Sequence, residues 1–185
     1  MKKYKFTGET KTIYLPFGTV TLHRIKAVVE FGLVKVGDLG GWIEKEENLS
    51  HEENAWVYGD AEVCGNAKVY GNAKVCGNAK VYGDAEVRGN AWVCGNAWVC
   101  GNAKVFSTDH VLVIGAIGSR NDFTTFFRDK DNEITVKCGC FLGKIDKFLE
   151  KVTQTHKDTK HTLAYRTAVE VAKLQIDLTE KSTRR

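Results

Sequence analysis

Proline occurs once in this 185-residue chain, at Pro16, and no apolar stretch is long enough to span a membrane. The first residues, Met1-Lys-Lys-Tyr-Lys-Phe6, are basic, but the apolar run that a secretory signal needs does not follow them. The expectation is therefore a soluble cytoplasmic protein with no membrane partner. Charge of one sign is scarce too: the net value is +4, and without clustering that does not argue for nucleic acid. Helix-turn-helix, zinc-finger and RNP phrases are missing, and so are the glycine-rich Walker and dinucleotide phrases. No histidine falls between Asn54 and Phe106. A length of 185 residues allows one or two small cores.

What the chain does contain is a six-residue phrase, Gly-(Asn/Asp)-Ala-x-Val-x, unbroken from Asn54 to Phe106. Valine stands at 57, 63, 69, 75, 81, 87, 93, 99 and 105, with alanine two positions before each and Asn or Asp before every alanine. Neither a helical heptad nor a simple strand alternation has this period; it is a solenoid signal. Ala-x-Val puts two apolar side chains on one face of a short strand, and Gly-Asn or Gly-Asp supplies the positive φ of a corner. Three phrases close one triangular coil, and coils stack at ~4.8 Å, the spacing of hydrogen-bonded strands. The nine phrases make about three coils.

With Val at one position and Ala four later, the phrase resembles the hexapeptide repeat of left-handed parallel β-helix proteins. The lead-in from Gly37 to Ser50, GDLGGWIEKEENLS, followed from Asn54 by NAWVYGDAEVCGNAKVYGNA, is similar to the YdcK-like hexapeptide-repeat proteins of phages, prophages and bacterial genomes. The resemblance covers residues 12–106. It implies a left-handed parallel β-helix, a preference for trimers, and a fold shared with many acyltransferases, though such YdcK-like proteins mostly lack an assigned reaction.

Outward slots of the repeat carry the remaining information. The slot between Ala and Val reads Trp56, Glu62, Lys68, Lys74, Lys80, Glu86, Trp92, Trp98 and Lys104. Trp56, Trp92 and Trp98, with Tyr58, Tyr70 and Tyr82 from the slot after Val, are candidates for covering a neighbouring segment or forming a subunit interface; a stacking platform for a planar ligand is the alternative. Cys64, Cys76, Cys94 and Cys100 share the slot after Val, which also accepts Arg88 and Phe106 and so reads as outward. Exposed free thiols suit a reducing compartment; an eighteen-residue coil would nevertheless set Cys76 above Cys94.

Both flanks can cap the solenoid, whose ends expose strand edges. The chain divides at 1–50 (N-terminal β cap and lead-in), 51–106 (hexapeptide-repeat β-helix) and 107–185 (a small α+β domain with its last residues disordered). Apolar groups in 4–14 and 18–34 predict two or three cap strands, and Gly37, Gly40, Gly41 and Trp42 close the first coil. After Phe106, strands are expected at 111–115, 123–128 and 133–141, with a turn at Asp129-Lys-Asp-Asn132. Ile145, Phe148, Leu149 and Val152, then Tyr165, Ala168, Val169, Ala172 and Ile176, fall at helical spacing and predict two helices. The whole is mainly β with a small α+β tail.

Chemistry is expected in this tail, because the repeats are too uniform to form a specific pocket alone. The glycine-rich turn Gly115-Ala-Ile-Gly-Ser-Arg-Asn121 offers amides, a hydroxyl and a guanidinium to a phosphate. The candidate ligand-binding set is Gly118, Ser119, Arg120, Asn121, Thr124, Thr125, Phe126, Arg128 and Lys137; an ordinary hairpin turn is the competing reading. Gly139-Cys-Phe-Leu-Gly-Lys144, entering a helix near Ile145, is a second anion candidate. Cys138 and Cys140 are half of a metal site at most, and His156 and His161 would diverge on one continuous helix, so no metal is expected. His51 and His110 flank the repeats as possible acyl-transfer bases.

The reading that results is a non-catalytic homo-oligomeric binding protein, a trimer on the resemblance, that holds a small anionic ligand of nucleotide type with no cofactor and no dedicated nucleic-acid surface. The resemblance to phage proteins gives one version: a counter-defence protein that acts as a sponge for a host nucleotide immune signal in the host cytoplasm. A module that blocks a host protein directly, and a hexapeptide acyltransferase, are the alternatives.

Overall fold

The computed structural model describes residues 1–15 and 18–179. The expected disorder of the last residues falls at 180–185, and Pro16 also lies outside the described residues. Strand β1 (Tyr4–Leu15) and strand β2 (Gly18–Ala27) form an antiparallel hairpin, and β3 (Leu39–Ile43) pairs antiparallel with β2. Nine two-residue strands follow, one in each phrase: β4 (Trp56–Val57), β5 (Glu62–Val63), β6 (Lys68–Val69), β7 (Lys74–Val75), β8 (Lys80–Val81), β9 (Glu86–Val87), β10 (Trp92–Val93), β11 (Trp98–Val99) and β12 (Lys104–Val105).

These nine strands make three parallel faces, β4-β7-β10, β5-β8-β11 and β6-β9-β12, with pairs such as Val57↔Val75 and Val63↔Val81 eighteen residues apart. The eighteen-residue coil of the sequence is therefore observed. Every repeat Ala and Val is fully buried, forming a thin triangular core. Each valine there contributes about 1.5–3 kcal/mol of burial. The solenoid runs to about four turns rather than three, because the lead-in adds a rung: β3 pairs parallel with β5 through Trp42↔Glu62, and Leu49 bridges Val69. The sequence lacks the Ala-x-Val phrase there, so periodicity alone missed it.

At the corners, Gly83 shows what the glycines are for: its φ is +73°, and a Cβ there would lie 2.9 Å from the amide nitrogen of Gly101 in the next coil. Side-chain amides also stack in register, Asn54 donating to Asn72 at 2.9 Å and Asn66 to Asp84 at 3.0 Å.

The repeat cysteines correct the expectation of exposed thiols. Cys76 and Cys94 stack one coil apart with Cα atoms 4.5 Å distant, within disulfide range, and are bonded. Cys64 and Cys100 are buried, with Tyr82 between them in the same column. Burial pushes the Cys64 thiol up to about 12, with Glu44 and Glu62 acting in the same direction. We expect protein denatured without reductant to titrate four thiols per chain, and six after reduction. Six thiols in both titrations would contradict the pairing.

The tail is a four-stranded antiparallel sheet, β13 (Val111–Ile117), β14 (Asp122–Arg128), β15 (Ile134–Cys138) and β16 (Phe141–Lys144), backed by α1 (Ile145–His156) and α2 (Lys160–Gln175). The strand expected at 133–141 splits at Gly139, whose φ of +54° starts a hairpin; Cys140 is exposed in that turn rather than on the face of Ile134 and Val136. The sheet has two apolar sides. Phe127 joins the solenoid core, while Phe126 and Val136 pack with Phe148, Tyr165 and Val169 of the helices.

The β14–β15 turn locks the sheet onto the last coil: Ala103 bridges Asp129, and the Lys130 amide donates to Asn102 O at 3.0 Å. Burial alone would raise the Asp129 carboxyl, but Lys144, the Thr135 hydroxyl and the amides of Asp131 and Glu133 outweigh it and hold the group below the usual carboxylate range. Its contribution to stability is present above the unfolded value near 4 and is lost as pH falls through the lower folded value. Helices α1 and α2 break at Lys157–Thr159, so His156 and His161 do not diverge as expected but meet with ring centroids 5.8 Å apart. No group of three metal-ligating side chains forms among the described residues. No helix among them is long and apolar enough to cross a membrane.

Candidate ligand-binding cleft

The top of the solenoid leaves backbone donors without a further coil to accept them. Trp98 N–H donates instead to the Thr125 hydroxyl at 3.0 Å, and Trp92 N–H to the Thr108 hydroxyl at 3.2 Å. The first of these bonds holds strand β14 beside the outer slot of β11. Because side chains alternate along β14, Phe123 and Thr125 turn toward the solenoid and Thr124 and Phe126 away from it.

Between the two surfaces lies a cleft of about 530 Å³, within the ordinary range for small-molecule sites. Asn96 and Trp98 line its solenoid wall; Phe123, Thr125 and Lys137 line the sheet wall; Arg120, Asp122, Gly139 and Cys140 form the rim. Lys137 is the cross-strand partner of Thr125. Its ammonium lies 4.8 Å from the Trp98 ring centroid and donates to Gly139 O. Arg120 reaches back from the β13–β14 turn so that its guanidinium lies over Gly139. Two cations face one carboxylate, Asp122, so the cleft has a net positive wall beside a partly exposed indole.

Of the nine ligand-binding candidates, the structure brings together Arg120, Thr125 and Lys137, and it adds Trp98 from the interface set. The others are corrections. Gly118 packs against the Tyr165 ring, which explains the glycine without a ligand. Ser119 and Asn121 are exposed in the turn and do not line the cleft. Thr124 is buried on the opposite side of the sheet, its hydroxyl donating to Cys138 Sγ at 3.2 Å, and Phe126 is a core ring. Arg128 lies at the far end of β14, in a different hollow. Sequence reasoning missed Asn96, Asp122 and Phe123 as lining groups; the alternation that turns Thr125 toward the solenoid was the signal for Phe123. The second anion candidate is divided: Gly139 and Cys140 reach the rim of the cleft, while Lys144, before the helix at Ile145, is occupied by Asp129 and Glu133.

The aromatic candidates separate in the same way. Trp56 is buried under the N-terminal strands against Tyr4 and Phe31, not available to a partner, because the first coil is covered by the chain's own cap. Tyr82 is buried as well, and the Tyr70 hydroxyl donates to Glu86 at 3.2 Å. Tyr58 is half-buried. Trp92 is 52% exposed, with Lys74 4.5 Å from its ring centroid.

Comparison with known proteins adds one relation. Over 62 residues the chain is 39% identical to a protein of Escherichia coli (strain K12) described as "Uncharacterized acetyltransferase YdcK". The stretch is 31% of this chain and 19% of that protein. No protein-family model matches the chain. The β-solenoid and this similarity together agree with a hexapeptide-repeat protein; the name's activity belongs to the relative, of which the chain spans a small part.

Each of the two flanking histidines accepts a backbone amide. His51 Nδ1 accepts the Lys3 amide at 3.2 Å, and its ring stacks on Tyr4. His110 is buried, and its Nδ1 accepts the Phe106 amide at 3.1 Å. Neither lines the Trp98 cleft.

Proposed function

We propose that the protein is a non-catalytic binding module, assembled as a homo-oligomer of three chains, whose cleft takes a small anionic planar ligand of nucleotide type. The observation that carries this reading is the convergence of Arg120 and Lys137 with the Trp98 ring in one cleft. Arg120 meets a phosphate with parallel N–H donors, Lys137 adds a point charge, and the indole or Phe123 offers a ring face to a base. The wider role suggested by the phage-protein resemblance, sequestration of a host nucleotide immune signal in the host cytoplasm, requires this binding and no chemistry. Native mass spectrometry of the protein with ADP-ribose and cyclic dinucleotides, followed by denaturation, tests it. A discrete mass gain with the compound recovered intact is expected; a recovered product of altered mass would overturn the non-catalytic reading.

The similarity to a protein described as an acetyltransferase favours acyl transfer as the second reading. Acetyl-CoA turnover that disappears on replacing His51 or His110 would establish it in place of the first.

A further inference from the structure

Arg128 was grouped with Arg120 by sequence, yet the fold sends it elsewhere. It is 5% exposed at the end of β14, in a hollow of about 280 Å³ that Arg88, Asn90, Phe106, Ser107 and His110 also line. The Arg88 guanidinium carbon lies 3.6 Å from the Phe106 ring centroid and that of Arg128 lies 5.5 Å from it, so one ring holds two cations in place. No acidic side chain lines the hollow among the described residues. Arg128 Nε donates to Asn132 Oδ1 at 2.9 Å, Nη2 donates to the same neutral acceptor, and Nη1 approaches His110 Nδ1 at 3.5 Å. That His110 nitrogen already accepts the Phe106 amide. Glu86, the carboxylate that acts on Arg88, is itself paired with Lys104 at 2.6 Å.

A buried guanidinium that meets no carboxylate among the described residues is costly unless an anion completes it. A ring that presents a second guanidinium beside it, and a serine and an asparagine at the same mouth, supplies the geometry of an oxyanion site. Two guanidinia converging on a small hollow suit a phosphoryl group or similar small oxyanion. We infer that Arg88 and Arg128 form a second anion site, for inorganic phosphate or a terminal phosphoryl group, separate from the Trp98 cleft and independent of what that cleft binds.

Calorimetric titration with inorganic phosphate, at ionic strength matched with chloride, tests this on wild-type protein, Arg88→Met and Arg120→Ala. Arg88 is half-buried at the mouth, and methionine keeps its contact with Phe106, so the variant is expected to keep the wild-type melting temperature. Arg120→Ala, which removes the guanidinium of the Trp98 cleft, should retain a phosphate site, and that site should be weakened at least about tenfold in Arg88→Met, the loss of one good contact to an anion. No binding to wild type, binding unchanged in Arg88→Met, or loss in Arg120→Ala alone would each overturn the assignment. The last result would place the phosphate in the Trp98 cleft.

Discussion

Trp56→Ala is expected to cost about 3–5 kcal/mol of stability, whereas Trp92→Ala should cost about 1 kcal/mol or less. The two tryptophans occupy the same slot of the repeat, and sequence alone gives them one role. Their surroundings differ. Trp56 is 1% exposed, with ring centroids of Phe31 at 5.3 Å and Tyr4 at 6.0 Å, and Gly40 lies so close that a Cβ there would be 2.7 Å from the indole. Truncation leaves a cavity in rigid surroundings that close only partly. Trp92 is half exposed and loses one contact with Lys74. Chemical denaturation of both variants measures the difference. Equal losses would refute the burial of Trp56, and a fall in oligomer mass without loss of stability would return it to an interface.

Gly118→Ala should destabilise the tail by several kcal/mol, in spite of adding one methyl group to an exposed turn. Its φ is +74°, where an L residue costs about 1–2 kcal/mol. A Cβ would fall 1.9 Å from the Tyr165 hydroxyl, so the buried ring must also move, an overpacking cost of about 1–3 kcal/mol. The expected signature is loss of the tail's cooperative unfolding with the solenoid strands retained, read by hydrogen exchange. A variant as stable as wild type but deficient in ligand binding would show that the glycine serves a phosphate after all.

These two residues also show how far the sequence could be read. Each buried Ala and Val of the solenoid is visible in the six-residue period, because one phrase repeats nine times and the valines of one coil meet those of the next, eighteen residues on. The tail strands and helices follow from local alternation and helical spacing. Whatever depends on one element meeting another is less visible. Trp56 differs from Trp92 only because the N-terminal strands fold over the first coil. Cys64 differs from Cys76 because Tyr82 and the lead-in cover one column while the other is filled by a second sulfur.

The site was legible to the same extent. Arg120, Thr125 and Lys137 could be named because a polar, cationic turn lies between two strands. Thr124, Phe126 and Arg128 were drawn in by proximity in the chain, although strand alternation sends Thr124 and Phe126 to the helix side. Trp98 completes the cleft across a distance of 27 residues from Thr125, a contact that no local pattern encodes.

In the proposed binding mode, Arg120, Lys137 and Trp98 hold one anionic planar ligand together. Titration of ADP-ribose into wild-type protein, Arg120→Ala and Lys137→Met, followed by calorimetry and by Trp fluorescence, tests it most directly. The account predicts one site per chain, a change in indole emission, and affinity at least about tenfold weaker in each variant at unchanged melting temperature, as loss of a charge-assisted contact implies. Binding of equal strength in all three proteins would contradict it, as would the absence of binding by ADP-ribose and by cyclic dinucleotides alike.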